Sequence, residues 1–321
     1  MTRWSRPGCS CCSPPRPRAW KSFVANLPRR SMKMLSSSGR RIGFGSMQLT
    51  GRGHWAAPDN PEQAMQVLRD AVDAGVTHID TADAYGPFTA EKYIRKALHP
   101  FPDGLVIATK GGLTRQGPDR WASCGRPEYL RQCVEMSLRR LQVERIGLYY
   151  LHRIDPAVPL EDQLGVLRDM QAEGKIRHIG LSKVTLEQLR TASEVVDVAA
   201  VQNKYNVSNR ASEDVLRHCE NTGISFVPYA PLAAGALTTP DALGQIAQDY
   251  GATPAQLALA WLLHQSPAIT PIPGTSSSAR LRENLAAHQI DLAREDMTAI
   301  ESAATTGSKP RGGEDEPQAL L

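Results

Sequence analysis

The amino-acid sequence predicts a (β/α)8 barrel, and two observations support this fold class. Short runs of β-branched and other apolar residues alternate with helical patterns along most of the 321 residues, which is typical of parallel βαβ units. Eight such units follow one another, and about 250 residues is the usual size of a barrel of this kind. We therefore expect one α/β domain whose functional residues lie at the carboxyl ends of its strands.

The predicted strands are short, and the helices between them begin and end at suitable cap residues. Several helices begin at Pro, Ser, Thr or Asp, and Gly75, Gly174 and Gly223 each stand between a helix and the next strand, where a left-handed cap residue fits. The predicted strands are residues 42–49, 77–80, 105–110, 146–152, 178–182, 199–205, 225–232 and 268–273. The predicted helices are residues 62–74, 90–97, 127–141, 160–173, 185–193, 211–221, 240–263 and 278–287.

A doubly wound nucleotide-binding sheet is the alternative α/β fold. Such a sheet begins with a G-x-G-x-x-G turn directly after its first strand. Here Gly43-Phe44-Gly45 lies inside a predicted strand, and position 48 is Gln. The sequence therefore favours the barrel.

The amino-terminal region differs in composition from the rest of the chain. Residues 1–38 are rich in Arg, Pro and Ser and have no apolar periodicity, so they cannot bury enough surface to offset the entropy of ordering. We predict a disordered basic extension over residues 1–38, the barrel over 39–305 and a flexible C-terminal tail over 306–321. An Arg- and Ser-rich end also resembles an organelle transit peptide, although prolines between residues 14 and 17 would interrupt its amphipathic helix.

The net charge of +4 comes from this extension. No acidic residue precedes Asp59, and that stretch carries 11 of the 37 Lys and Arg, which leaves 26 basic against 33 acidic residues in the remainder. We therefore expect no nucleic-acid partner for the barrel. The six cysteines have no zinc-ligand spacing, so we expect no metal site. No apolar run is long enough to span a bilayer, so we expect no membrane segment. Because the cysteines form no paired disulfide framework, we expect a cytoplasmic location.

Polar residues stand at the ends of consecutive predicted strands. Strand two ends at Asp80, strand three at Lys110 and strand four at His152, while Tyr85 follows Asp80 in a loop. Each residue alone has an ordinary structural explanation, such as a helix cap or a structural histidine. Because the carboxyl ends of barrel strands share one rim, we expect these side chains to converge. Strands five to seven add Ser182, Gln202 and Tyr229.

These stretches resemble the aldo-keto reductase family. HIDTADAYG at residues 78–86, ATK at 108–110 and LH at 151–152 are similar to the stretches that carry the family's four catalytic residues. The resemblance covers about residues 42–292 and implies a barrel enzyme that passes hydride between NADPH and a small carbonyl compound. Further motifs follow in family order at residues 179–182, 201–206, 229–232 and 272–276.

Carbonyl reduction needs a proton donor, because negative charge builds on the oxygen as hydride reaches the carbon. The resemblance implies that Tyr85 is this donor. A free tyrosine titrates near ~10 and a neighbouring ammonium lowers that value, so we expect Lys110 to lower the pKa of Tyr85. Asp80 would orient Lys110, and His152 would hydrogen-bond the substrate oxygen.

The resemblance also implies a set of cofactor-binding residues. Tyr229 would stack on the nicotinamide, while Ser182 and Gln202 would bind its carboxamide. Loops after strands seven and eight often bind phosphate in barrels. The implied contacts there are Pro231, Leu232, Gly274, Thr275, Ser276, Arg280 and Asn284.

Two positions depart from the family pattern. Many members carry Asn where this chain has Lys183, and many carry a lysine for the extra phosphate of NADPH where this chain has Gly274. Thr275, Ser276 and Arg280 offer hydrogen-bond donors for that phosphate, and the guanidinium group suits it well. We therefore expect NADPH in preference to NADH.

Substrate choice in such a barrel comes from the loops around the rim. Trp55, Phe88 and Trp121 would form an aromatic wall or would only pack these loops. Residues 47–49, 86–87 and 273–277 are most similar to the pyridoxal reductase branch, so pyridoxal is the first substrate expected.

Two other function classes are compatible with such a barrel. One is an NADPH-binding regulatory subunit with little turnover, like the channel β subunits, which would show a stable partner protein. The other is a barrel isomerase or lyase, which would work without a nicotinamide cofactor. The complete set of Asp80, Tyr85, Lys110 and His152 favours the reductase. The sequence predicts no particular oligomeric state.

Overall fold

The computed structural model describes Leu35, residues 41–233 and residues 242–306. Apart from Leu35, the predicted extension over residues 1–38 lies outside these residues, as does the predicted C-terminal tail from residue 307. Across the described part of the chain, no helix combines the length and the apolar character that a membrane span requires.

Seven parallel strands form the main sheet, and a separate two-stranded hairpin accompanies it. The strands are β1 (Phe44–Gly45), β2 (His78–Asp80), β3 (Val106–Gly111), β4 (Leu113–Gly117), β5 (Arg120–Ser123), β6 (Ile146–Leu151), β7 (Ile176–Ser182), β8 (Val198–Gln202) and β9 (Ser225–Phe226). The main sheet has the order β1-β2-β3-β6-β7-β8-β9, and β4 pairs with β5 in antiparallel orientation.

An extended segment at residues 269–273 closes this sheet between β9 and β1. Ile269 bridges Phe226 of β9 in parallel. On the other side, the backbone N–H of Gly43 donates to the carbonyl oxygen of Pro271 at 2.9 Å. The sheet therefore meets itself, and the predicted (β/α)8 barrel is confirmed.

Helices follow the strands and cover the outside of the barrel. Proline occupies the first turn of α1, α3 and α8, where its missing N–H needs no partner. The helices are α1 (Pro61–Asp73), α2 (Thr89–Leu98), α3 (Pro127–Leu141), α4 (Leu160–Ala172), α5 (Leu186–Ser193), α6 (Glu213–Thr222), α7 (Ala242–Asp249), α8 (Pro254–Gln265), α9 (Ser278–Ala286) and α10 (Arg294–Thr306).

The single helix predicted over residues 240–263 is wrong. The chain turns at Gly251, which has a positive φ of 59°, and a new helix begins at Pro254. The Thr253 side chain accepts from the Gln256 N–H while the Gln256 side chain accepts from the Thr253 N–H, which is a complete capping box. Gly251 and Pro254 are the sequence signals of this break, because glycine often ends a helix and proline often begins one.

The β4–β5 hairpin was not predicted either. Its turn contains Gly117, Pro118 and Asp119, and these residue types mark turns in a sequence. Trp121 was expected in a loop of the rim, but it belongs to β5 of this hairpin. The hairpin nevertheless decides the shape of one side of the rim.

Side chains alternate between the two faces of each barrel strand. Ile107 and Tyr149 belong to the large apolar cluster that the strands share with the helices, whereas Ala108 and Tyr150 belong to a second cluster. Since successive strand residues point to opposite faces, the second cluster fills the barrel interior. Lys110 lies on the same strand face as Ala108 and continues this interior layer to the rim.

Leu35 belongs to the interior cluster and is only 2% exposed. The composition of residues 1–38 predicted disorder throughout, so that prediction does not hold at this residue. Burying one leucine stabilises a fold by about 1.5–3 kcal/mol, yet it leaves no periodic pattern in the sequence. The barrel interior therefore includes a residue that composition had assigned to the extension.

Candidate active site

Five of the predicted site residues stand at one rim of the barrel because neighbouring parallel strands end there. Asp80 ends β2, Lys110 is the penultimate residue of β3 and His152 follows β6 directly. Ser182 and Gln202 end β7 and β8 and are register partners. The barrel topology thus brings together residues that are more than a hundred positions apart in the chain.

A buried ion pair forms the centre of this rim. The Lys110 Nζ lies 2.5 Å from Asp80 Oδ1, and both side chains are inaccessible to solvent. Lys110 Nζ also donates to the carbonyl oxygen of Thr81 at 2.8 Å and to the Tyr85 hydroxyl at 3.3 Å. The Gln202 amide donates to the second Asp80 oxygen at 2.7 Å. The ammonium therefore sits in one position with three defined oxygen partners.

The electrostatics of this pair keep Lys110 charged. Burial acts to lower the pKa of Lys110, but the Asp80 carboxylate and the Tyr85 oxygen outweigh it, so the pKa is raised above its ordinary value. The site consequently holds a fixed positive charge beside the Tyr85 hydroxyl.

Tyr85 is itself buried, and its environment corrects one expectation. Burial raises the pKa of Tyr85, and the opposing effect of Lys110 does not overcome it. The sequence had led us to expect a net lowering. Tyr85 therefore carries its proton at neutral pH in this structure.

The His152 ring meets the Tyr85 ring edge to face, with centroids 5.9 Å apart. Burial lowers the pKa of His152 well below its ordinary value, and the charge of Lys110 adds to this effect. The imidazole is thus neutral, and a neutral imidazole has one donor and one acceptor nitrogen. Within the described part of the chain, its Nδ1 has no hydrogen-bond partner.

A second buried polar cluster lies behind the Tyr85 loop, and the sequence analysis did not find it. Glu91 on α2 accepts from Thr109 Oγ1 at 2.6 Å and pairs with Arg140 of α3. Burial and the nearby Glu91 charge raise the pKa of Asp83 to about 7. Asp83 stands inside the HIDTADAYG motif, but nothing in its residue type indicated this burial.

The side of the rim at β7 and β8 carries the residues implied to bind nicotinamide. Ser182 is buried, and Lys183 beside it adopts a left-handed backbone with φ of 57°. Asparagine is enriched in this conformation among non-glycine residues, so the observed backbone at position 183 suits asparagine better than lysine. The Lys183 Nζ lies 5.4 Å from the Tyr229 ring centroid.

The turn that precedes α9 contains the residues implied to bind phosphate. Thr275 Oγ1 accepts from the Ser277 N–H at 3.1 Å, and Ser277 Oγ accepts from the Arg280 N–H at 3.4 Å. In the first turn of α9 Arg280 is exposed, whereas Asn284 in the second turn is buried. Helix N-termini of this kind favour anions.

Packing against β1 explains why position 274 is a glycine. A Cβ atom built at this position would lie 2.8 Å from the carbonyl oxygen of Gly45, so a side chain here would require the backbone to move. A lysine at this position is therefore incompatible with the contact between this turn and β1. Pro231 is buried and Leu232 packs against the core.

The three predicted pocket aromatics do not all lie together. Trp121 of β5 meets Tyr85 edge to face at 6.5 Å between centroids, and Trp55 is joined to Trp121 through Arg115. Phe88 is 45% exposed and makes its ring contact with the Arg140 guanidinium, 4.4 Å from the ring centroid. Trp121 therefore lies beside Tyr85, and Trp55 is connected to it through Arg115.

Comparisons with known proteins identify the family of this chain. The family model described as Aldo/keto reductase family matches residues 41–305. A Schizosaccharomyces pombe protein named Uncharacterized oxidoreductase C215.11c is 44% identical over 277 residues, which cover 86% of this chain and 90% of that protein. The Escherichia coli protein named Pyridoxine 4-dehydrogenase is 39% identical over 272 residues, which cover 83% of this chain and 95% of that protein.

Among solved structures, an aldo-keto reductase from Klebsiella pneumoniae in complex with NADPH superposes with a TM-score of 0.70 at 27% identity. The alignment covers 87% of this chain and 95% of that one. The match extends along the barrel that carries Asp80, Tyr85, Lys110 and His152 at its rim. The chain belongs to the aldo/keto reductase family.

Proposed function

We propose that this protein is an NADPH-dependent carbonyl reductase in which Tyr85 donates the proton to the substrate oxygen. The observation that carries the proposal is the buried contact chain from Asp80 through Lys110 to the Tyr85 hydroxyl. A binding module has no need for a charged lysine held beside a phenol. A proton donor does, because the ammonium stabilises the phenolate that forms when the proton leaves.

Each rim residue has a defined part in this reaction. The Tyr85 and His152 rings meet edge to face, so we infer that the substrate's carbonyl oxygen accepts a hydrogen bond from both side chains. Lys110 keeps its charge while Tyr85 loses its proton, and Asp80 keeps Lys110 in place. The NADPH cofactor, when bound, supplies the hydride.

The residues of the β7, β8 and α9 side fit this cofactor. The Gln202 nitrogen is turned to Asp80, so Gln202 offers its carbonyl oxygen to the N–H of a carboxamide, with Ser182 beside it. Tyr229 provides an aromatic face for the nicotinamide. The start of α9 and the exposed Arg280 provide positive charge for the extra phosphate of NADPH.

Arg280 should contribute most of the preference for NADPH over NADH. Losing one charge-assisted contact costs about 1.5–3 kcal/mol, which is roughly ten- to a hundredfold in affinity. We expect Arg280→Ala to weaken NADPH binding by this factor and to leave NADH binding nearly unchanged. Titration of both cofactors by tryptophan fluorescence measures this, with Arg282→Ala on the same helix as the matched control. Equal loss for both cofactors would contradict the assignment.

Pyridoxal is the substrate we propose first. The Escherichia coli relative is named Pyridoxine 4-dehydrogenase, and pyridoxal is the aldehyde that differs from pyridoxine by one hydride and one proton. Its flat aromatic ring also suits a wall of Trp55 and Trp121.

The test is steady-state oxidation of NADPH by the purified protein with pyridoxal, 4-nitrobenzaldehyde and methylglyoxal. We expect turnover of all three, with the highest kcat/KM for pyridoxal. A kcat/KM for pyridoxal far below the other two would contradict the substrate proposal alone. Tight NADPH binding without turnover of any carbonyl compound would contradict the enzyme and favour a regulatory subunit.

A further inference from the structure

Arg115 of β4 is bonded in a way that its sequence position does not indicate. Its guanidinium has five N–H donors, and the structure gives each donor to a backbone carbonyl. Nε donates to the carbonyl oxygen of Arg120 at 3.2 Å. Nη1 donates to those of His54 at 2.8 Å and Ala84 at 2.6 Å. Nη2 donates to those of Gly53 at 3.0 Å and Gly117 at 3.2 Å.

These carbonyls belong to three separate segments of the rim. Gly117 and Arg120 are in the β4–β5 hairpin, Gly53 and His54 are in the turn after β1, and Ala84 directly precedes Tyr85. The Arg115 side chain therefore connects the hairpin and the turn, by hydrogen bonds, to the loop that carries Tyr85.

Tyr85 is held on both sides by this arrangement. The Ala84 carbonyl before it accepts from Arg115, and the Gly86 N–H after it donates to the His54 carbonyl at 3.0 Å. The same His54 carbonyl also accepts from Arg115. A movement of the guanidinium would therefore release the backbone around Tyr85.

Two glycines permit the close approach of these segments. A Cβ atom at Gly53 would lie 2.7 Å from the Pro118 side chain, and one at Gly86 would lie 2.7 Å from the carbonyl oxygen of Ala56. Both residues also have positive φ, 65° and 63°. The segments are thus built to meet around Arg115.

The guanidinium also orders the tryptophan wall. Its carbon lies 3.6 Å from the centroid of the Trp121 ring and 5.4 Å from that of Trp55, which is cation–π geometry. Trp121 in turn meets the Tyr85 ring. Arg115 therefore connects the proton donor to the wall of the proposed substrate pocket.

We propose that Arg115 is a positioning residue that holds Trp121 and the Tyr85 loop in one arrangement and thereby sets the preference for flat aromatic aldehydes. The proposal rests on the proposed carbonyl reductase activity. It requires the planar five-donor fork, so a positive charge alone does not suffice. Lysine has three donors around one nitrogen and cannot reproduce that fork.

The test compares Arg115→Met and Arg115→Lys with the parent on 4-nitrobenzaldehyde and methylglyoxal. Displacement of a reacting group by about 1 Å can lower rates about 100-fold. We expect kcat/KM to fall by about ten- to a hundredfold for the aromatic aldehyde and clearly less for methylglyoxal, in both variants. The affinity for NADPH, measured by fluorescence titration, should stay at the parent value because the cofactor residues lie on another side of the rim.

Arg52→Ala is the matched control, since Arg52 stands next to Gly53 with an exposed side chain and its carbonyl oxygen is not among the five acceptors. It should leave the ratio of the two kcat/KM values unchanged. Trp121→Leu should lower the ratio of the kcat/KM for 4-nitrobenzaldehyde to that for methylglyoxal, as Arg115→Lys does. Combining the two substitutions should lower this ratio little further, because both act through the same wall.

Several outcomes would overturn this assignment. One is an unchanged substrate ratio in folded Arg115→Lys, and another is equal loss for both aldehydes, which a general effect on folding would produce. Should Arg115→Met fail to fold, Arg115→Lys decides alone, because it retains the charge. Inactivity of the parent on every aldehyde would instead contradict the proposed function itself.

Discussion

Replacing Tyr85 with phenylalanine is expected to lower kcat for carbonyl reduction by about 10²- to 10⁴-fold, the usual contribution of general acid catalysis. The substitution removes only the hydroxyl, which lies 3.3 Å from Lys110 Nζ, and retains the ring that packs against His152 and Trp121. Binding of NADPH should therefore hardly change. Steady-state kinetics and a fluorescence titration of the cofactor measure the two effects separately.

Tyr93→Phe is the matched control, because Tyr93 lies on α2 and is only partly buried. It loses the same hydroxyl outside the site and should keep the parent kcat. Near-parent activity of Tyr85→Phe, with an active parent, would refute the assignment of Tyr85 as proton donor.

Lys110→Met should lower kcat by a comparable factor. It removes the ammonium that we propose stabilises the Tyr85 phenolate, and it leaves the Asp80 carboxylate buried without its cation. An unpaired buried charge costs about 3–5 kcal/mol, so thermal unfolding must be followed as well. Adding Asp80→Asn removes the unpaired charge and should recover stability without recovering kcat.

The combination of Lys110→Met with Tyr85→Phe provides a sharper criterion. Because the two residues act as one unit, the double variant should lose far less than the product of the two single losses. Independent multiplication of the losses would show that Lys110 does not act through Tyr85.

The residue pattern was sufficient for the barrel and for the central part of the site. Strand and helix periods are local properties, and they located each strand of the main sheet, although β1 (Phe44–Gly45) and β9 (Ser225–Phe226) are much shorter than the predicted residues 42–49 and 225–232. Once the strands are parallel and neighbouring, their carboxyl ends must share one rim. Asp80, Lys110 and His152 could therefore be placed together without any coordinates.

Other features depended on contacts between distant segments. The burial of Leu35 was hidden by the polar composition around it, whereas the break between α7 and α8 is marked in the sequence by Gly251 and Pro254. Arg115 gave no signal in the sequence, because its acceptors are backbone carbonyls that any residue type can supply. Phe88 was grouped with the tryptophans by residue type alone, yet its ring lies against Arg140.

The sequence by itself determined the fold class, the family and the order of the polar residues around the rim, because these follow from local periodicity and from motif identity. Only the tertiary structure decided how those residues titrate and what holds them. Desolvation depends on all the atoms packed around a group, and it reverses the expected shift in the pKa of Tyr85. It also raises the pKa of Asp83 to about 7, although aspartate ordinarily titrates near ~3.9.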